Sequence, residues 1–223
     1  MKTRIQFLFL GVAAGLALGT SAQAASILVG DHSFEASTAA GPGTSVTPVA
    51  APWVTTGNSN FFGTGWPGAA EYPGGGAADG NKYAYANGAA TLSQTLGTVL
   101  LPDTIYTLRV AVGNRADLPG FGFSFGGYGV ELWAGAVKLA SDYDAGHSGT
   151  GAATPALGQW KDAVITYTSP SSVTADALQI RLRGYAIQTN YDNVRLDGTS
   201  LVPEPSAALL GGLGILALLR RRR

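Results

Sequence analysis

Between residues 25 and 200, apolar and polar positions alternate with a period of two in one short run after another. Over 105–112, Tyr106, Leu108, Val110 and Val112 alternate with Ile105, Thr107, Arg109 and Ala111, which puts the first set on a core face. Tyr128, Val130 and Leu132 line one side of the next run, with Glu131 and Trp133 on the other, and Gly135 turns the chain into 137–140. Residues 160–168 alternate in the same way. Residues 177–183 send Leu178, Ile180 and Leu182 inward and Arg181 and Arg183 outward, and 191–196 close the series. Residues 82–86 and 91–96 read as two strands of a hairpin joined across Asn87-Gly88. A further strand opens the domain at 26–29, whereas 36–48, small and polar with Pro42 and Pro48, reads as a loop. No helical period and no internal repeat interrupts this pattern. Many short strands with long connections predict an all-β chain, a two-sheet β-sandwich of the jelly-roll type.

The two ends break the pattern. Residues 1–24 have the form of a signal peptide: Lys2 and Arg4, an apolar stretch over 7–18, and the small-x-small site Ala22-Gln23-Ala24. At the other end, Val202-Pro203-Glu204-Pro205 leads through an apolar run into Arg220, Arg221, Arg222 and Arg223. As a helix, 205–219 would span about 22 Å, less than a hydrocarbon core of about 30 Å, unless the bilayer thins and the arginines snorkel. The arginines would stay on the cytoplasmic side. The expected organisation is therefore a signal peptide (1–24), a β-domain (25–200) and a tail with a short hydrophobic helix (201–223). The protein is expected to be exported and held at the inner membrane by this tail.

Composition narrows the function. The 32 glycines and the charged fraction of only 13% suit a turn-rich β-protein, and the absence of cysteine means that no disulfide supports it. The formal net charge is zero, but six of the 14 basic residues lie in the terminal segments. The central chain is acidic, with a net charge of about −5, and carries no basic patch for nucleic acid. Catalytic signatures are missing: there is no thiol, only His32 and His147 as imidazoles, and no nucleophile elbow, zinc-binding or phosphate-loop motif. Only Glu35, Glu71 and Glu131 stand among the domain glutamates. These features weigh against an enzyme.

Aromatic side chains are the remaining candidate chemistry. Trp53, Phe61, Phe62, Trp66 and Tyr72 crowd a region rich in glycine and proline, and Trp133 stands opposite the core face of its strand. Flat rings bind the C–H faces of sugars or else plug the ends of a sandwich, and Trp66, Tyr72 and Trp133 are the candidate glycan contacts. The phenylalanines of 118–127 stand at alternate positions, either in a mobile contact loop or in a strand. Asp142-Tyr143-Asp144-Ala145-Gly146-His147 lacks the closing ligands of a calcium loop and reads as a solvated turn.

Two resemblances add to this reading. The last 22 or so residues resemble the PEP-CTERM sorting signal, whose three parts (VPEP, an apolar helix and a basic end) stand here in order. The resemblance implies an exosortase-type enzyme as a processing partner, beside the signal peptidase expected from residues 1–24, and release from a transient inner-membrane anchor to the cell surface or extracellular matrix. Gly30-Asp31-His32-Ser33-Phe34-Glu35 and Tyr191-Asp192-Asn193-Val194-Arg195-Leu196, with 92–96 and 106–108 between them, resemble galactose-binding-like and carbohydrate-binding-module sandwiches. That resemblance implies a structural calcium at Glu35 and Asp192, with Asp31 as a further ligand. The expectation is a non-catalytic surface protein that binds or embeds in extracellular polysaccharide. The alternatives are an adhesion or matrix protein without a ligand site, and a secreted glycoside hydrolase.

Overall fold

The computed structural model describes residues 24–57, 62–202, 212, 214 and 219–221. The chain divides into two compact units, Gln23–Leu201 and a second one that holds both chain ends. In the second unit Gly212, Gly214 and residues 219–221 are helical. Among the described residues no helix is long and apolar enough to cross a membrane, and most of the expected tail helix lies outside the described residues. The expected signal peptide through Gln23, as well as Pro203, Glu204, Pro205, Arg222 and Arg223, lies outside the described residues.

Gln23–Leu201 folds into strands that follow in chain order as β1 (Ala24–Ile27), β2 (Thr44–Val46), β3 (Val54–Thr56), β4 (Phe62–Trp66), β5 (Tyr83–Ala86) and β6 (Thr91–Val99). They continue as β7 (Thr104–Asn114), β8 (Tyr128–Ala134), β9 (Val137–Tyr143), β10 (Gln159–Thr168), β11 (Ala177–Gly184) and β12 (Thr189–Ser200). One sheet runs β10-β7-β12-β5-β4-β2, and β1 pairs with the C-terminal half of β12. The other runs β3-β6-β11-β8-β9. All pairings are antiparallel, and the two sheets face each other across one core, as the all-β sandwich expectation requires.

The alternation read from the chain builds that core. Tyr106, Leu108, Val110 and Val112 of β7 are buried, as are Val130 and Leu132 of β8 and Leu178, Ile180 and Leu182 of β11. Each such aliphatic side chain contributes about 1.5–3 kcal/mol relative to exposure. Arg181 and Arg183 lie on the opposite side of β11, since successive side chains of a strand leave by opposite faces.

Three expectations are corrected. Strands β5 and β6 are not a hairpin: β5 lies between β4 and β12, and β6 lies in the other sheet between β3 and β11. Gly88 has the positive φ of the expected turn, 56°, but its N–H donates to Ala186 O, so the turn docks on a distant loop. The chain crosses sheets here because Ala84, Ala86, Ala90 and Leu92 all enter the core. The loop at 36–48 contains β2. Finally, β3 is too short at three residues to show an alternation, and β4 carries Gly63 and Gly65 where outward side chains would have completed one.

Candidate functional site

The outer face of the larger sheet is floored with small residues. One register row crosses it as Trp160 of β10, Gly113 of β7, Asn190 of β12, Tyr85 of β5 and Gly63 of β4. Gly65 pairs with Tyr83 in the next row. A Cβ at Gly65 would meet the Tyr83 ring at 2.7 Å, and one at Gly113 would run into the Tyr72 hydroxyl and the Trp160 ring. Glycine therefore lets the large rings lie flat on the sheet. Tyr72, from the segment that follows β4, stacks on Trp160 at 4.7 Å between centroids and is buried.

A chain of polar contacts ties these rings to the loops at one end of the sandwich. Arg115, one residue beyond β7, donates from Nε and Nη2 to both oxygens of Asp117, at 2.9 and 2.6 Å, and from Nη1 to Gln188 Oε1 at 2.8 Å. Its Nη2 also lies 2.9 Å from Glu71 Oε1. Gln188 Nε2 donates to Asn190 Oδ1 at 2.8 Å, and Asn190 Nδ2 to the Tyr72 hydroxyl at 2.7 Å. The Tyr83 hydroxyl lies 3.3 Å from Glu71 Oε2. Burial holds both the Tyr72 and Tyr83 phenols well above their ordinary range, so they stay protonated donors. Burial alone would lower the Arg115 pKa, but hydrogen bonding to Asp117 and the Glu71 charge outweigh it and raise it. The hydrogen bond from Arg115 holds the Asp117 carboxyl below the usual carboxylate range.

This network opens on a cleft of about 530 Å³, within the size range of small-molecule sites. Three loops wall it. The connection after β7 supplies Arg115, Leu118, Phe121 and Phe123, the turn after β5 supplies Asn87 and Gly88, and the connection between β11 and β12 supplies Ala186, Ile187 and Gln188. The Phe loop is not a strand: Leu118–Phe121 forms one turn of 3₁₀ helix, and Phe121 and Phe123 are 66% and 48% exposed. These two exposed rings on one loop give the cleft an apolar rim. Asn87 Oδ1 is buried with no hydrogen-bond partner, a deficit of about 1–3 kcal/mol beside the cleft wall.

The residues singled out from sequence do not form one site. Tyr72 belongs to the network just described. Trp66 sits at the end of β4 with Lys82 Nζ 6.0 Å from its ring. Trp133 lies on the outer face of the other sheet, under the Arg181 guanidinium at 3.9 Å, so the three aromatics share no platform. The acidic corner is built from the expected segments: Val194 N donates to His32 O, joining the loop after β1 to β12. There Glu35 Oε1 accepts from Asn81 N and Lys82 N, and Asp192 accepts from Asp79 N and Asn193 N. Burial raises the Asp192 carboxyl to about 8, and Asp31 Oδ2 is buried without a partner. Among the described residues no three acidic, histidine or cysteine side chains converge to hold a metal. Arg115, Gln188 and Asn190 were missed, because nothing local distinguishes them from solvated loop and strand polar groups.

Comparisons with known proteins point away from the glycan reading. A Stig cyclase, Fisc, from Fischerella sp. TAU, in complex with (3Z)-3-(1-methyl-2-pyrrolidinylidene)-3H-indole, is 27% identical with a TM-score of 0.66. The match covers 79% of this chain and 98% of that one. A cyclase from Fischerella sp. TAU in complex with 4-(1H-indol-3-yl)butan-2-one is 25% identical with a TM-score of 0.62, over 80% of this chain and 100% of that one. No curated protein matches. The family model for HpiC1 cyclase, HpiC1-like, matches residues 25–197. These findings overturn the recognition of the chain as a sorting-signal protein with a carbohydrate-binding module. They equally overturn the non-catalytic, polysaccharide-binding surface function and the exosortase, polysaccharide and membrane partners tied to it. The error has a physical source: short β-sandwich motifs specify packing, which binding modules and enzymes share. Over residues 25–197 this chain belongs to the HpiC1-like cyclase family.

Proposed function

We propose that this protein is a cyclase acting on a small, largely apolar ring-bearing substrate held in the cleft of Leu118, Phe121, Phe123 and Ile187. The observation that carries the reading is an apolar aromatic cleft with an arginine and a glutamine at its wall. Ring closure requires a flexible chain to be folded so that its reacting atoms meet, and a close-walled apolar cleft supplies that restriction. Two solved relatives at 25–27% identity hold indole-based ligands, which supports an indole-like ring as the occupant. In this reading the Phe rings cover the ligand, Asn87 forms part of the wall, and Arg115 and Gln188 offer donors to its acceptor.

The test is titration of the protein with 4-(1H-indol-3-yl)butan-2-one by calorimetry. Saturable binding that weakens about tenfold in Asn87→Ala and in Phe123→Ala is expected. Absence of binding, or binding indifferent to both substitutions, would refute the assignment.

We also propose that calcium binds at the corner where the loop after β1 meets β12, on no more than two of the Asp31, Glu35 and Asp192 carboxylates, and that the sandwich is a jelly roll. The unpaired Asp31 Oδ2 and the buried Asp192 carboxyl support the first, although the ion would take most of its six to eight oxygens from backbone carbonyls and water. Chelator is expected to lower the melting temperature by about 3 °C or more, with no such effect in Asp192→Asn. For the second, consecutive strands stay in one sheet only at β1–β2, β4–β5 and β8–β9 among the described strands. Export remains a proposal resting on the form of residues 1–24.

A further inference from the structure

Taking the cleft as the substrate site, we propose that it selects uncharged ligands and turns anions away, through the carboxylate excess of the Glu71–Arg115–Asp117 triad. Arg115 is the one charged residue among the described residues that line the cleft. A guanidinium beside an apolar cavity would ordinarily make an anion receptor, because its fork matches a carboxylate or phosphate with two parallel bonds. Here the fork is already taken. Nε and Nη2 hold Asp117 in the bidentate arrangement, Nη2 also contacts Glu71, and Nη1 bonds Gln188. One N–H of Nη1 is left for the cleft, enough for a single bond to a neutral acceptor.

The charges point the same way. Two carboxylates flank one guanidinium, and all three side chains are less than a fifth exposed, so solvent screens them weakly. An anion seated against Nη1 would lie about 4 Å from the positive centre and about 6 Å from two negative ones. At a common dielectric the doubled repulsion then exceeds the attraction by about a third. Nothing offsets the hydration that the anion gives up on entering an apolar cleft. A ketone or imine surrenders far less hydration and still receives the hydrogen bond. Asp117 is the side chain that decides this balance, since its carboxylate is held in the charged form by Arg115 and stands next to Leu118 of the cleft wall.

The experiment compares two probes of the same skeleton on the full chain at neutral pH. One is 4-(1H-indol-3-yl)butan-2-one and the other is 3-(1H-indol-3-yl)propanoate, in which an anionic oxygen replaces the methyl group. The ketone is expected to bind at least about tenfold more tightly than the propanoate. In Asp117→Asn the gap should close to about twofold, mainly through tighter propanoate binding, whereas Asp117→Glu, which keeps the charge, should retain the discrimination. Equal or tighter binding of the propanoate to the unaltered protein would overturn the proposal, as would an unchanged ratio in Asp117→Asn. If neither probe binds, the assignment of the cleft as the substrate site falls, and the selectivity with it; binding without discrimination removes the selectivity alone.

Discussion

The two outer faces of the sandwich use nearly the same ingredients to opposite ends. On the smaller sheet, Glu131 is 1% exposed, yet Trp133 Nε1 and the Tyr143 hydroxyl donate to its two oxygens at 2.7 and 2.5 Å and Arg183 lies 3.3 Å away. Arg181 covers the Trp133 ring, and Lys138 Nζ donates to the Tyr143 hydroxyl. Among the described residues none of the buried side-chain oxygens or nitrogens of that cluster is left without a partner. On the larger sheet, Glu71, Arg115, Tyr72 and Tyr83 form a comparable cluster, but its edge meets a cavity walled by exposed phenylalanines and an unpaired Asn87 oxygen. A saturated cluster stabilises; one that borders unpaired groups and a cavity is prepared for a ligand. The presence of Trp, Arg and Glu on a sheet face thus says little until the partners are counted.

Substitutions sharpen that contrast. The largest effects are expected from Arg115→Ala and Glu131→Ala, each costing about 3 kcal/mol in urea unfolding, because each strips the partner from buried polar groups. Only Arg115→Ala should also abolish binding of the indole ketone; loss of binding in Glu131→Ala at a temperature where that variant is folded would erase the distinction between the faces. Next comes Gly113→Ala, whose added methyl meets Tyr72 and Trp160. It should destabilise by about 2 kcal/mol and loosen the stacked pair, read as a changed near-ultraviolet dichroism. An unaltered spectrum would mean that the rings move aside without cost. The smallest change in stability, within about 0.5 kcal/mol, is expected for Phe121→Ala, since that ring is mostly in solvent. The same variant should weaken ketone binding about fivefold, and unchanged affinity would remove Phe121 from the site.

The period-two alternation along the chain determined the strands of the core. Tyr106, Leu108, Val110, Leu178, Ile180 and Leu182 point inward because successive strand residues must leave by opposite faces, and burying one face is what drives the sheets together. The same local rule could not see β4, where Gly63 and Gly65 stand in for outward side chains, nor tell that Asn87-Gly88 joins two sheets rather than two neighbouring strands. The tertiary structure alone decided the site. Arg115, Gln188 and Asn190 come from different connections and strands, and their chemistry arises only when the Tyr72 and Trp160 rings settle on Gly113 and bring those loops to one end of the sandwich. Hydrophobic periodicity is a property of neighbours along the chain, whereas a binding cleft depends on which distant polar groups are left without partners after folding.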